Sequence, residues 1–563
     1  MDRRQLIAGG AGLAAGALGI GSWARAQQNA SPDTSFDPSI WMHDLAIVNA
    51  RVITMDPRQP EAQAVLVRRG RIQAVGSNAQ IRSMARGVRV LDAGGRGLVP
   101  GFVDTHIHME WSAAATVLML DLHTPEPKSV AEVLARVKAR ADQTPAGKWV
   151  VAEGRLGGVA ENRLPTLEEL DGVSTRHPII LFNGVHSHVA NSLAAQAMGY
   201  LTRIDEAHAR NWSNGAPFAG GLSTRDEHGH PGVAYDMVMR LPKDLWSVEE
   251  LKGAIRKVAK DIWVAGGVTS ASPVCLVSSN EYSADHQLHA SGELPLRMRA
   301  YYMCPMSADV DAVLQTGVTR GFGNDMFRTG GFKLVMDSST PDRVMRHYTP
   351  EEFADVVTKA HARGLQTITH CTTVEGATIV TNAIEEVRRR FPDGPVIHHR
   401  VEHHRAQPEL ARRMRAAQMY FTMIAPQVAT RNARTGSGLS SGVSAPYRTY
   451  VADGVRPILM SDKCGGGTRM PRPLFSIAAI CNDFDAGGVV EPTQTVGFDD
   501  ALRMWTIWAA QSTHQDHDRG SITPGKLGDF ALLSADPRGL AGPQLFELKV
   551  DATVLGGKVV YNG

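Results

Sequence analysis

Eight short apolar runs recur between residues 99 and 462, and amphipathic stretches separate most of them. They occupy residues 99–106, 266–272, 296–302, 331–337, 365–370, 398–404, 419–424 and 455–462. Runs this short and this apolar read as strands buried on both faces. The stretches between them, such as 350–364 and 406–417, carry the helical period and open near a proline. Eight strands alternating with helices make a closed (β/α)8 barrel of the TIM type, an α/β fold, here over residues 99–515. Residues 110–260 are too long for one connection. They hold further β texture at Trp149-Val150-Val151 and Ile179-Ile180-Leu181-Phe182. This segment is expected to be a lid or insertion after strand one.

The two ends have a different texture. Residues 44–98 alternate short apolar runs with turns at Arg69-Gly70 and Gly95-Arg96-Gly97. Residues 516–563 repeat the pattern, with Phe530-Ala531-Leu532-Leu533 and Val550-Asp551-Ala552-Thr553-Val554. Neither closes a sheet alone, so the two ends are expected to pair into one small β-sandwich beside the barrel. Residues 27–43 are polar and rich in proline and serine, and read as a linker. Ahead of them, Arg3-Arg4 precede a weakly apolar run to Trp23, and Ala24-Arg25-Ala26 is a cleavage signal. Residues 1–26 therefore read as a twin-arginine signal peptide. A periplasmic or secreted location follows, with no stable membrane insertion after cleavage.

Charge and cysteine usage exclude more than they specify. Lys plus Arg total 59 against 57 for Asp plus Glu, so no basic surplus points to nucleic acid. The five cysteines are odd in number and contain no C-x-x-C pair, which argues against a disulfide framework.

Six side chains near the C-terminal ends of the expected strands carry the chemistry. They are His106, His108, Lys333, His370, His403 and Asp462. In a barrel those ends converge on one face, where active sites lie. His106 and His108 alternate, so both side chains point the same way. Imidazole and carboxylate donors gathered there suit zinc or a similar divalent metal. Such an ion lowers the pKa of a bound water and polarises a carbonyl. Asp462 has two possible duties, as a ligand and as the base that takes a proton from the attacking water. It can also be read as a carboxylate that orients a histidine ligand. Lys333 has an alternative as the ion-pair partner of Asp337.

These segments resemble the amidohydrolase superfamily, in particular the amidohydrolase-3 branch of YtcJ-like proteins and N-substituted formamide deformylases. The resemblance rests on Leu98 to His108, on Gly331-Phe332-Lys333 to Asp337, and on His399-Arg400-Val401-Glu402-His403. Ser461-Asp462 and Gly520 to Asp529 complete it, so it runs from about residue 44 to the C-terminus. It implies ligands from strands one, four, five, six and eight, where the strand count independently puts them. It also implies a carboxylated Lys333 able to bridge two metals. His186-Ser187 matches the family's His-Ser motif, which implies that His186 contacts substrate or supports its carbonyl oxygen; a structural hydrogen bond weighs equally. Two loops depart from the pattern. His370-Cys371-Thr372-Thr373-Val374-Glu375 replaces His-Ala-Ile-Gly-Asp, and Lys463-Cys464-Gly465-Gly466-Gly467 follows the strand-eight aspartate. The glycines can let backbone N–H groups approach an anion, or can simply make a mobile loop.

The expectation is an exported, metal-dependent hydrolase that cleaves a C–N bond in a small-molecule amide, formamide or cyclic amide through a metal-activated water. Asp462 and His186 are the catalytic candidates. An ester or lactone hydrolase with the same site is the near alternative. A non-catalytic binding or regulatory protein on the same fold is the distant one. A homo-oligomer is compatible with either.

Overall fold

The computed structural model describes residues 37–563 apart from 155–158, 162, 184–186, 199–232, 236–241, 243, 277, 305–309, 341–342, 404–406, 425–444, 467–472, 483–491 and 541. The signal-peptide reading and His186 lie outside the described residues. An eight-stranded sheet holds Phe102–Ile107, Val268–Pro273, Arg297–Met303, Phe327–Val335, Gln366–His370, Arg400–Glu402, Tyr420–Ile424 and Ile458–Met460 in sequence order. Neighbours are parallel throughout. Every expected run overlaps one of these strands, and most of their residues are buried, as a barrel wall requires.

Strands one and eight come together at the seam. The Asp462 N–H donates to the His106 carbonyl at 3.1 Å, and the His108 N–H donates to the Lys463 carbonyl at 3.1 Å. The buried Asp104 carboxylate accepts from the Ser461 N–H at 3.1 Å. Burial lifts the Asp104 carboxyl to about 7, against the hydrogen bonds from Ser461. The site candidates at both strand ends are thus held by the bonds that join the seam.

Local chemistry sets the outer helices. Pro350–Ala362 starts on a capping box of Thr349 and Glu352, with proline in its first turn. Its buried stripe is Phe353, Val357 and Ala360. Val374–Arg390 is capped by Thr373 and ends on Arg388, Arg389 and Arg390, which favour a helix C-terminus. In strand four, Gly331 has φ +149°, and a Cβ there would overlap the Gln366 carbonyl oxygen of strand five. Only glycine lets the two backbones approach just before Lys333.

The ends of the chain share one core. A six-stranded sheet interleaves Arg51–Ile53, Glu61–Ala62 and Gly97–Pro100 with Phe530–Leu533, Val550–Leu555 and Lys558–Asn562. A four-stranded sheet of Leu45–Val48, Ala64–Arg68, Arg71–Gly76 and Arg89–Asp92 completes the sandwich. Ile47, Val65, Leu98, Phe530 and Val554 pack in its core. Asp529 ties the sandwich to the start of strand three, accepting from Arg297 Nε at 2.7 Å and Nη2 at 2.9 Å. Part of the expected linker is ordered here. Pro38–Trp41 forms a 3-10 turn, and Trp41 is buried against Met326 and Leu555. An aromatic side chain with an apolar berth fixes this short segment despite its polar composition.

The insertion after strand one forms a sheet of its own. Its sheet holds Leu120–Asp121, Val150–Gly154, Ile179–Asn183, Ser187–Ala190 and Val233–Tyr235. Val130–Gln143 covers it with Val133 and Val137, which pack on Val150, Ala152 and Ile179. His188 is buried in this sheet. Among the described residues, no helix is long and apolar enough to cross a membrane.

Candidate metal centre

His106 is the innermost candidate. It lies on strand one, fully buried, and its Nδ1 is 2.6 Å from Glu402 Oε2. That contact turns Nε2 towards Asp462, whose Oδ1 is 3.4 Å away. His108 follows the strand end, with Nε2 3.3 Å from the same oxygen. From strand six, His403 places Nδ1 3.6 Å from Asp462 Oδ2. One donor atom each from His106, His403 and Asp462 lie within 4.8 Å of one another. His370, the last residue of strand five, packs its ring on His403 at 4.3 Å between centroids. Four strands thus deliver imidazole or carboxylate groups to one place.

Two of these residues occupy an uncommon backbone region. His403 has φ +66° and Asp462 has φ +46°, both in the left-handed region. A non-glycine residue there costs about 1–3 kcal/mol and persists only where the surroundings over-determine it. Asp462 is over-determined by the seam bonds on its own N–H and on those of Ser461 and Lys463, the last of which donates to Ser461 Oγ at 3.1 Å.

Lys333 lies on strand four, 2% exposed, and its Nζ has no hydrogen-bond partner among the described residues. Burial pulls its ammonium below the usual lysine range, while Glu402 and Asp462 oppose that pull. The alternative pairing with Asp337 is not what forms. Asp337 Oδ1 instead accepts from the Thr372 N–H at 2.6 Å, and Oδ2 accepts from the Thr373 hydroxyl. The Cys371-Thr372-Thr373 departure therefore has a local purpose, as it docks the loop after His370 onto Asp337, just past the end of strand four.

The donor set fits a divalent ion. Burial, then the charge of Lys333, hold His106 well below the ordinary histidine range, which favours the neutral ring a ligand needs. Among the described residues, His106 Nε2 and Lys333 Nζ are buried polar atoms without hydrogen-bond partners, a costly state that a bound cation, with a modified lysine, would relieve. Glu402 was not given a role by sequence reasoning. It supports His106 on one oxygen and accepts from Arg400 Nε on the other at 2.8 Å, with both side chains fully buried. A buried metal-site histidine needs such a partner to fix its ring. The signal was Arg400 and Glu402 two apart on one strand, hence on one face.

The sequence profile of the amidohydrolase family matches residues 89–561. An N-substituted formamide deformylase of Arthrobacter pascens is 28% identical, over 92% of this chain and 98% of its own. The putative amidohydrolase YtcJ of Bacillus subtilis is 23% identical, over 91% of this chain and 98% of its own. In fold, the chain is similar to an uncharacterized metal-dependent hydrolase of Pyrococcus furiosus, with a TM-score of 0.65 at 20% identity. That likeness covers 88% of this chain and 99% of the other.

Proposed function

Since this chain belongs to the amidohydrolase family, we propose that it is a metal-dependent hydrolase that cleaves the C–N bond of a small amide, with N-substituted formamides as the leading class. The observation that carries this reading is the convergence of His106, His403 and Asp462 donor atoms within 4.8 Å at the barrel mouth. The likeness to the Arthrobacter deformylase along nearly both full chains supports the substrate class.

His106, His108, His370, His403 and Asp462 would hold the metal, probed best by zinc. Lys333, once carboxylated, would add an oxygen donor. A divalent ion in such a site acidifies water and polarises a carbonyl. The chain's own residues do the rest. Glu402 keeps the His106 ring in place, at 2.6 Å. Asp462 lies between His106, His108 and His403, with Oδ1 towards the first two and Oδ2 towards the third. From there it accepts the proton of the attacking water and returns it to the departing nitrogen, so that an amine leaves rather than an amide anion.

Metal analysis and a matched panel of formamides, amides and esters test the reading. Purified protein is expected to carry at least one divalent ion per chain. A chelator should abolish turnover, and added zinc should restore it. The formamide should show a larger rate enhancement over its uncatalysed hydrolysis than the formate ester of the matching alcohol. Full activity in metal-free protein refutes the assignment. Turnover confined to esters transfers it to the ester or lactone class.

The chain's start supports export by the twin-arginine route. Arg3→Lys with Arg4→Lys should leave the precursor in the cytoplasm, and the mature protein should begin near Gln27. Normal export of that double variant removes the twin-arginine assignment.

A further inference from the structure

The loop that follows Asp462 does not end at the barrel. The Gly466 N–H donates to Glu153 Oε2 at 2.9 Å, and the same oxygen is 2.7 Å from His123 Nε2. Glu153 lies in the insertion strand Val150–Gly154 and is 2% exposed. Gly465 has φ +77°, and a Cβ on it would stand 2.6 Å from Glu153 Oε1. The loop thus presses backbone against this carboxylate at two successive residues. Lys463 Nζ donates to the Gly466 carbonyl at 2.9 Å and closes the loop on itself. Cys464 packs with Trp111, Val151 and Phe182, on the same side. The anion that the glycines approach is therefore one of the protein's own carboxylates.

We propose that Glu153 is a positioning residue for Asp462, through which the insertion holds the strand-eight loop and so the orientation of that carboxylate. The inference rests on the assignment of Asp462 to the reaction. The seam fixes Asp462 through its own N–H and that of Ser461, and holds the next residue through the His108 N–H on the Lys463 carbonyl. From the C-terminal side, the Glu153 contact with Gly466 is the anchor that comes from another layer of the fold. Because both bonds go to one oxygen, glutamine can place its amide oxygen there and keep them. Alanine cannot.

The test uses the metal-loaded mature chain, with kinetics on whichever substrate of the panel is turned over and with amide exchange of residues 461–466. Glu153→Ala should lower kcat by about 10–100-fold with KM nearly unchanged, since small misplacements of a reacting group act on rate. Metal content should stay at the wild-type level, and exchange at Gly466 should accelerate by roughly 10-fold or more as its bond opens. Glu153→Gln should restore kcat and slow exchange together. Gly465→Ala strikes the same contact from the loop and leaves the insertion sheet intact, so it should reproduce the loss of kcat. Faster exchange with unchanged kcat in Glu153→Ala overturns the proposal, as does a glutamine variant as slow as alanine. A wild-type protein inert towards every substrate refutes the hydrolytic reading instead, and the exchange rates then still decide whether Glu153 holds the loop.

Discussion

Replacing Asp462 by asparagine is expected to cut turnover by about 10²–10⁴-fold, the usual cost of removing a general base. The variant keeps the size of the side chain and one oxygen acceptor. It keeps the seam as well, because the seam uses the Asp462 N–H rather than its carboxylate. His106, His108 and His403 remain to hold the metal, so metal content should fall far less than kcat. The measurement is kcat beside metal stoichiometry in one preparation. Wild-type turnover in Asp462→Asn moves the base elsewhere. Parallel loss of metal and activity reduces Asp462 to a ligand.

The second large effect concerns Glu402. Glu402→Ala strips the partner from Arg400, which is fully buried and spans Glu402 and the Thr105 carbonyl at 2.9 Å. Leaving one charge of a buried pair uncompensated costs about 3–5 kcal/mol. The same change frees the His106 ring, and lost support behind a metal ligand typically weakens metal binding by about 10–100-fold. Both losses should appear, as a lowered unfolding midpoint of the metal-free protein and as a raised zinc Kd. Glu402→Gln retains an acceptor and the shape, so it should recover part of each. An alanine variant with wild-type stability and affinity would falsify the role given to Glu402.

The barrel was legible because each strand is a short apolar run and the helices between them carry their own start signals. Pro350 at the start of one such stretch is a signal of this kind, and it lies in the first turn of Pro350–Ala362. His106, His108, His403 and Asp462 were legible for a related reason. They are polar residues at the ends of apolar runs, where a barrel gathers them. The supports were harder to see. Glu402 touches His106 from 296 positions away, and Glu153 touches Gly466 from 313. No periodicity within one element encodes such partners, since they depend on how separate elements meet. Trp41 was lost inside a polar stretch because one aromatic residue does not change a composition. His514 lies among charged residues in the sequence, yet it stacks on His398 at 4.5 Å between ring centroids. Charged neighbours in sequence concealed an aromatic neighbour in space.

The seam between strands one and eight also sets an order of events during synthesis. Asp104 and Ser461 are 357 positions apart. At roughly 5–20 residues per second, the ribosome releases the second about 20–70 s after the first. For that interval the histidine pair of strand one exists without its carboxylate neighbour. An ion captured by the nascent chain would meet only part of the donor set, and a weak one. Tight loading must wait until the last wall of the barrel is laid. The complete donor set therefore exists only after strand eight has been made.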